Sequence, residues 1–480
     1  MRISGWIVGA ALGAIAAAAA VVGAWQYLIL GVAGAAFAAF ALAHPRATLL
    51  LWILIAPWAN TYATIALPAG LPDITFGRVV IVLVWAALLL RVRVVGSPLR
   101  FGVVEVAMLA VVAVALVDLM LRGSDAGSAG LQIFDQYLAP ALFFVAARNL
   151  GFTSADLPRV GYLLAATGIA LGAHGVYQYL TVTPESLRGL DPAAVEQLGE
   201  HLSEGRAVGP LANAVEYGGV VAIAFMAALL VALPAARGVQ RLVPLAALMP
   251  IGVAVAVTLT RSVWLGWLLA FWTAAIVDRE RRAAIVLATG ALTVAVLAAA
   301  LVLPDESAFA ERAVASEPVS GRLSMYRVAA QMIVKQPLIG YGRGLGTYEA
   351  ARKEALALGG SDEGAWAPGQ FHNVYVSALV EWGILGLTAQ LAWQLLFFAA
   401  ALALRRRQTP SGGRAYRFAG FFVAASVVYF VQGLFVDMAA FLYLPQLYFL
   451  LAGLVFAALD AVPSREAGAE RAVTSSSAGA

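Results

Sequence analysis

Three arginines and one histidine stand where polar stretches meet apolar ones. Arg261 lies in "VTLTRSVWLGW", Arg322 and Arg327 in "GRLSMYRVAAQMIVKQP", and His372 in "GQFHNVYVSALVEWGILGL". Arginine presents a planar fork of donors that matches phosphate oxygens, so these positions suit the binding of a phosphate or diphosphate. Histidine titrates near neutral pH and can accept a proton from a hydroxyl. Asn373 follows it and can orient either the imidazole or a sugar. Plainer roles compete. Arg261 also suits an arginine snorkelling to a membrane surface, with Trp264 and Trp267 as belt aromatics. Arg322 and Arg327 also suit ion pairs with Glu311 or Glu317, and His372 an interfacial side chain satisfied by backbone.

Further polar residues sit at the margins of apolar runs. Arg343 occupies the glycine-rich "IGYGRGLGTY", which no strand precedes, so it reads as a substrate-binding candidate and not as a nucleotide loop. Arg206 precedes "AVGPLANAVEYGG", where Asn213, Glu216 and Tyr217 enter a span at a depth that favours a cavity or bundle interior. Asp118, Asp135, Glu105 and Asp437 are acids near membrane depth and read as partners for arginines. The chain has no cysteine, which excludes thiol nucleophiles and disulfides. No Asp-x-Asp, His-Glu-x-x-His, Walker or Gly-x-Ser-x-Gly motif occurs. Neither metal nor cofactor is therefore expected, and arginines must neutralise any anion.

These residues need elements to hold them, and composition says which. Of 480 residues, 62% are apolar and 12% charged, and the mean hydropathy is +0.86. Soluble domains carry roughly twice that share of charge. The chain reads as an all-α polytopic membrane protein. A bilayer core takes about 20 apolar residues per helix. Spans are expected near 6–23, 26–43, 47–66, 76–92, 102–121, 131–147, 158–181, 210–233, 242–259, 262–277, 283–303, 379–404, 415–435 and 441–460, giving about 12–14. The run Ile7–Val22 reads as a first span and not as a cleaved signal. With the N-terminus inside, every cytoplasmic connection carries an arginine, so both termini are expected in the cytoplasm. The net charge of +4 follows from these loops and needs no nucleic acid as partner.

The expected organisation is an N-terminal bundle (1–181), an acidic external loop (182–209), further spans (210–303), a long external loop (304–371), C-terminal spans (372–462) and a disordered tail (463–480). Loops as long as 304–371 usually have a function. Within it, "GRLSMYRVAAQMIVKQP" predicts a helix that places Leu323, Tyr326, Ala330, Ile333 and Val334 on one face and stops at Pro337. Arg322 falls within that apolar arc and Arg327 at its margin. Residues 346–358 predict a second short helix. A small helical cap on the membrane domain follows.

Taken together, these stretches resemble the superfamily of O-antigen ligases and O-antigen polymerases, most clearly over about 200–400. Its most specific signature is His, then Asn, Ser or Gln, nine residues, Gly, two residues, and Gly, Thr or Tyr. His372, Asn373, Gly383 and Gly386 fit it completely. "SGRLSMYRVAAQMIVKQPLIGYGRGLGTY", "TRSVWLGW" and "RAVGPLANAVEYGG" are similar to three further family segments. The last has Ala212-Asn213-Ala214 in place of the common Asn-Pro-Asn.

The resemblance implies a membrane glycosyltransferase of GT-C-like architecture in the bacterial inner membrane, working at its external face without metal. It implies transfer of a glycan from undecaprenyl diphosphate to an acceptor sugar hydroxyl. It casts Arg261 and Arg322 as the diphosphate grip, with Arg327 and Arg206 in support, and His372 as the base that activates or orients the acceptor. The acceptor is a glycolipid for a ligase, which the complete His-Asn signature favours, or a second lipid-linked repeat for a polymerase. A transporter or flippase is the reading from another class. It requires charges at mid-membrane and inverted repeats, whereas here the polar residues collect at one face.

Overall fold

The computed structural model describes residues 25–65, 73–122, 126–182, 205–211, 213–278, 282–283, 285–287, 290, 317–343, 345–358, 371–408, 413–438 and 441–462. The expected span at 6–23 and the tail at 463–480 lie outside these residues. So do nearly all of the span at 283–303 and most of the acidic loop at 182–209.

The chain is an all-α polytopic membrane protein. Its helices are α1 (Trp25–Ala43), α2 (Pro45–Tyr62), α3 (Phe76–Val95), α4 (Val103–Arg122), α5 (Ala126–Ile133), α6 (Ala139–Asn149), α7 (Leu157–Thr181), α8 (Ala214–Ala227), α9 (Leu242–Val257), α10 (Arg261–Val277), α11 (Glu317–Lys335), α12 (Leu345–Ala357), α13 (Val374–Arg407), α14 (Arg414–Gly433) and α15 (Tyr443–Ala461). A wide π turn, Phe134–Leu138, joins α5 to α6. Another, Ala228–Ala232, extends α8. Among the described residues, eight helices are long and apolar enough to cross a membrane. Helices also occupy the other expected spans within those residues, α2 running through Pro57.

Helices α8, α14 and α15 are the most enclosed, and they pack on one another. Aromatic stacking ties them together. The Tyr429 and Tyr448 rings lie 4.2 Å apart and nearly parallel, and Phe422 stacks on Tyr448 at 5.2 Å. Such ring pairs add to the gain from buried area alone.

The two ends of the bundle differ in chemistry. One end collects arginines. Arg148 bonds Glu105 at 2.6 Å and Asp460 at 2.9 Å, Arg405 lies 3.8 Å over the Tyr416 ring, and Arg417 donates to the Pro234 carbonyl. The other end carries the cap, α11 and α12, and the starts of α8, α10, α13 and α15.

The cap corrects one expectation. Leu323 and Val334 do not face inward; they are 54% and 78% exposed, and Ala330 is exposed as well. Tyr326 and Ile333 are half-buried at the edge. The buried face is Met325, Val328, Ala329 and Met332, closed by Ala351 of α12 and by Phe371 and Val380. The face is rotated because α12 and the first part of α13 both pack against that side. Arg322 falls on the inward margin and is half-buried, while Arg327 is exposed.

Candidate active site at the cap end

Asn373 starts α13. Its side-chain oxygen accepts from the Tyr375 and Val376 amides at 3.0 and 3.2 Å, an N-cap that satisfies two otherwise orphaned donors. His372, just before it, holds a left-handed backbone with φ 47°. Such a conformation is uncommon outside glycine, although histidine is among the residues enriched there. The turn presents the half-buried imidazole where the cap returns to the membrane helix.

Helix α13 breaks at Gly383, whose φ of 62° and ψ of −158° are not helical. The Pro337–Gly342 segment crosses the break and replaces its missing hydrogen bonds. The Ile384 amide donates to the Pro337 carbonyl at 2.8 Å. The Tyr341 and Gly342 amides donate to the Val380 and Glu381 carbonyls at 2.9 and 2.7 Å. The cap is thus spliced into the helix that follows His372. Gly386 completes the fit, since a Cβ there would lie 2.4 Å from the Cβ of Trp382.

Arg343 ends the crossing segment and is held firmly. Its amide donates to Asp118 at 2.9 Å, and its guanidinium donates to the Tyr137 hydroxyl at 2.7 Å. Burial works against its charge, but Tyr137, Glu381 and Asp437 outweigh that effect and hold the guanidinium above its ordinary pKa. This arginine joins the cap to α4, the π turn and α13.

The starts of the other helices converge on the same region. A Cβ on Gly433 would lie 3.0 Å from Val374, so the end of α14 touches the start of α13. A Cβ on Gly219 would lie 2.4 Å from Gln432 and 2.6 Å from Leu444, and one on Gly218 would lie 2.5 Å from Val263. These contacts run from Val263, two residues into α10, through α8 and the end of α14 to the start of α13. Arg261 is the first residue of α10 and is half-buried. Arg322 reaches over from the cap, its guanidinium carbon 5.7 Å from the Phe435 ring just after α14. Arg261, Arg322 and His372 therefore sit on neighbouring elements at one end of the bundle.

The remaining candidates are built into the scaffold. Arg206 is buried and donates to Thr260 Oγ1 at 2.7 Å and to the Thr258 carbonyl at 3.3 Å. It ties the re-entering chain to the α9–α10 hairpin. Asn213 caps α8 through the Val215 and Glu216 amides at 2.8 and 3.2 Å. The Glu216 carboxylate accepts from the Tyr443 and Leu444 amides at 2.7 and 3.0 Å, capping α15 from another helix. Tyr217 has no exposed surface and donates to the Leu171 carbonyl at 2.9 Å. Of the acids, Asp135 pairs with Arg78 (3.0 Å) and Glu105 with Arg148. Among the described residues no group of three or more His, Cys, Asp or Glu forms a metal site.

The family model described as O-antigen ligase matches residues 245–391. That segment is similar to an O-antigen ligase domain. A comparison with curated proteins found no match. The matched segment begins within α9, contains Arg261, the described cap residues and His372, and ends just beyond the break at Gly383. Arg206, Asn213, Glu216 and Tyr217 lie before the matched segment.

Three residues of this region escape a reading of the sequence. Glu381 is a buried carboxylate within an apolar helix, a costly placement that in itself signals a partner. Tyr137 carries no motif; the π turn that aims it becomes visible only in the fold. Phe435 reads as one more apolar residue until Arg322 is seen above it.

Proposed function

We propose that the protein transfers a glycan from undecaprenyl diphosphate to an acceptor sugar hydroxyl, acting as an O-antigen ligase-like glycosyltransferase. The cap end would then face the periplasm and the arginine-rich end the cytoplasm, as the positive-inside rule favours. The observation that carries this reading is the splice between the two ligase-domain motifs. The Pro337–Gly342 segment holds the break at Gly383, and the half-helix before the break begins just after His372.

In the reaction, the bond from the sugar's anomeric carbon to the diphosphate oxygen breaks, and a bond from that carbon to the acceptor oxygen forms. The acceptor's proton passes to His372. Negative charge gathers on the departing diphosphate, where Arg322 and Arg261 stabilise it, aided by the exposed Arg327. Preorganised cations in such a role contribute about 3 kcal/mol each. Arg343 has its charge committed to Tyr137 and nearby carboxylates, so it serves as a positioning residue. Arg206, Asn213, Glu216 and Tyr217 hold the helix starts in register, and Asn373 caps the half-helix behind His372.

The test supplies purified protein with a defined glycan on undecaprenyl diphosphate and two competing acceptors, lipid A core and a second lipid-linked repeat. Glycan joined to lipid A core is expected. A lengthened lipid-linked chain would make the protein a polymerase, and absence of both products would refute the reading.

A further inference from the structure

We propose a second anion site at the arginine-rich end, built to hold the phosphate of an anionic phospholipid headgroup. A cavity of about 490 Å³ opens there between α1, α2, α3 and α7. Arg46, Arg91 and Arg159 line it together with His44, against the single carboxylate of Asp156.

The arginines are fixed at its rim. Arg46 donates to the Gly151 carbonyl at 3.1 Å and Arg91 to the Leu150 carbonyl at 3.2 Å. A guanidinium has five N–H donors, so one such bond orients the group and leaves capacity for phosphate oxygens. Asp156 is engaged by the Thr153 amide and hydroxyl and by Arg159, at 2.9–3.0 Å. Three cations against one committed carboxylate leave the cavity net positive.

The walls say which phosphate. Leu42, Leu50 and Phe152 form an apolar side. On α3, beside Arg91, Leu89, Leu90 and Val94 are 52%, 54% and 81% exposed. Cations above an apolar, outward-facing surface suit a headgroup with its acyl chains alongside. Basic pockets between membrane helices bind anionic headgroups in this way. The cavity lies at the opposite end of the bundle from His372, so it is separate from the proposed active site.

The experiment uses the full chain in native mass spectrometry after extraction from vesicles of phosphatidylglycerol and phosphatidylcholine in equal amounts. Two variants accompany it: Arg46→Gln with Arg91→Gln, which removes charge, and Ala47→Phe, which fills the cavity and keeps every arginine. Wild type should retain phosphatidylglycerol over phosphatidylcholine by about tenfold, and both variants should lose that preference. Inorganic phosphate is tested separately by thermal shift. If it stabilises wild type but not the variants, and no lipid is retained, the anion site stands with a soluble phosphate as its source. Equal lipid retention in wild type and Ala47→Phe, with no phosphate effect, overturns the proposal.

Discussion

Gly383 lies directly against the Leu338 peptide: a Cβ at Gly383 would approach the Leu338 carbonyl carbon and oxygen to 2.3 Å. Its φ of 62° disfavours side chains as well. The break in α13 and the crossing segment of the cap therefore depend on glycine at this position for two separate reasons.

Gly383→Ala should abolish glycan transfer and lower thermal stability in detergent. Gly96→Ala supplies the comparison, because Gly96 also has positive φ but no atom within 4 Å of an added Cβ. The left-handed penalty alone is about 1–2 kcal/mol, so Gly383→Ala should lose clearly more. Equal losses in the two variants would show that the contact with Leu338 contributes nothing.

Arg322 and Arg343 should respond differently to substitution. Arg322→Ala is expected to cut transfer by two or more orders of magnitude, matching about 3 kcal/mol, with little change in melting temperature. Arg343→Met leaves carboxylates without their cation and should destabilise the fold by about 3 kcal/mol or more. Activity and melting temperature measured on both variants separate a ligand contact from a structural one.

Asn373 can be tested by what its cap requires. Asn373→Ala removes the cap and should cost about 1 kcal/mol of stability, whereas Asn373→Ser restores an acceptor for the same amides. Transfer by the serine variant near the wild-type rate is the expected result. Loss of transfer in both variants would assign Asn373 a substrate contact beyond capping.

Transfer should persist in EDTA, since the proposed charge stabilisation comes from arginines. Activity lost to the chelator and restored by added magnesium would contradict that mechanism.

Much of this architecture was legible in the sequence. Apolar runs of bilayer length marked the helices, and Pro337 marked the end of the first cap helix. The inward face of α11 was not legible, because periodicity alone does not say which of two adjacent apolar stripes α12 and α13 will cover. Leu323 and Val334 lost that contest to Met325 and Met332. Polar residue type also did not say which bonds such side chains make. Asn213, Glu216 and Tyr217 look like a polar entry to a cavity, yet their bonds go to backbone groups of α8, α15 and α7. Only the packing distinguishes a carboxylate that caps a helix from one that meets a substrate.

The most direct test concerns His372. Asparagine tolerates the left-handed backbone found there but cannot act as a base, so His372→Asn keeps the turn and removes the chemistry. With a defined undecaprenyl diphosphate glycan and its acceptor, this variant should insert, fold and bind the donor as wild type does, yet form no transfer product. Transfer at the wild-type rate would contradict the account.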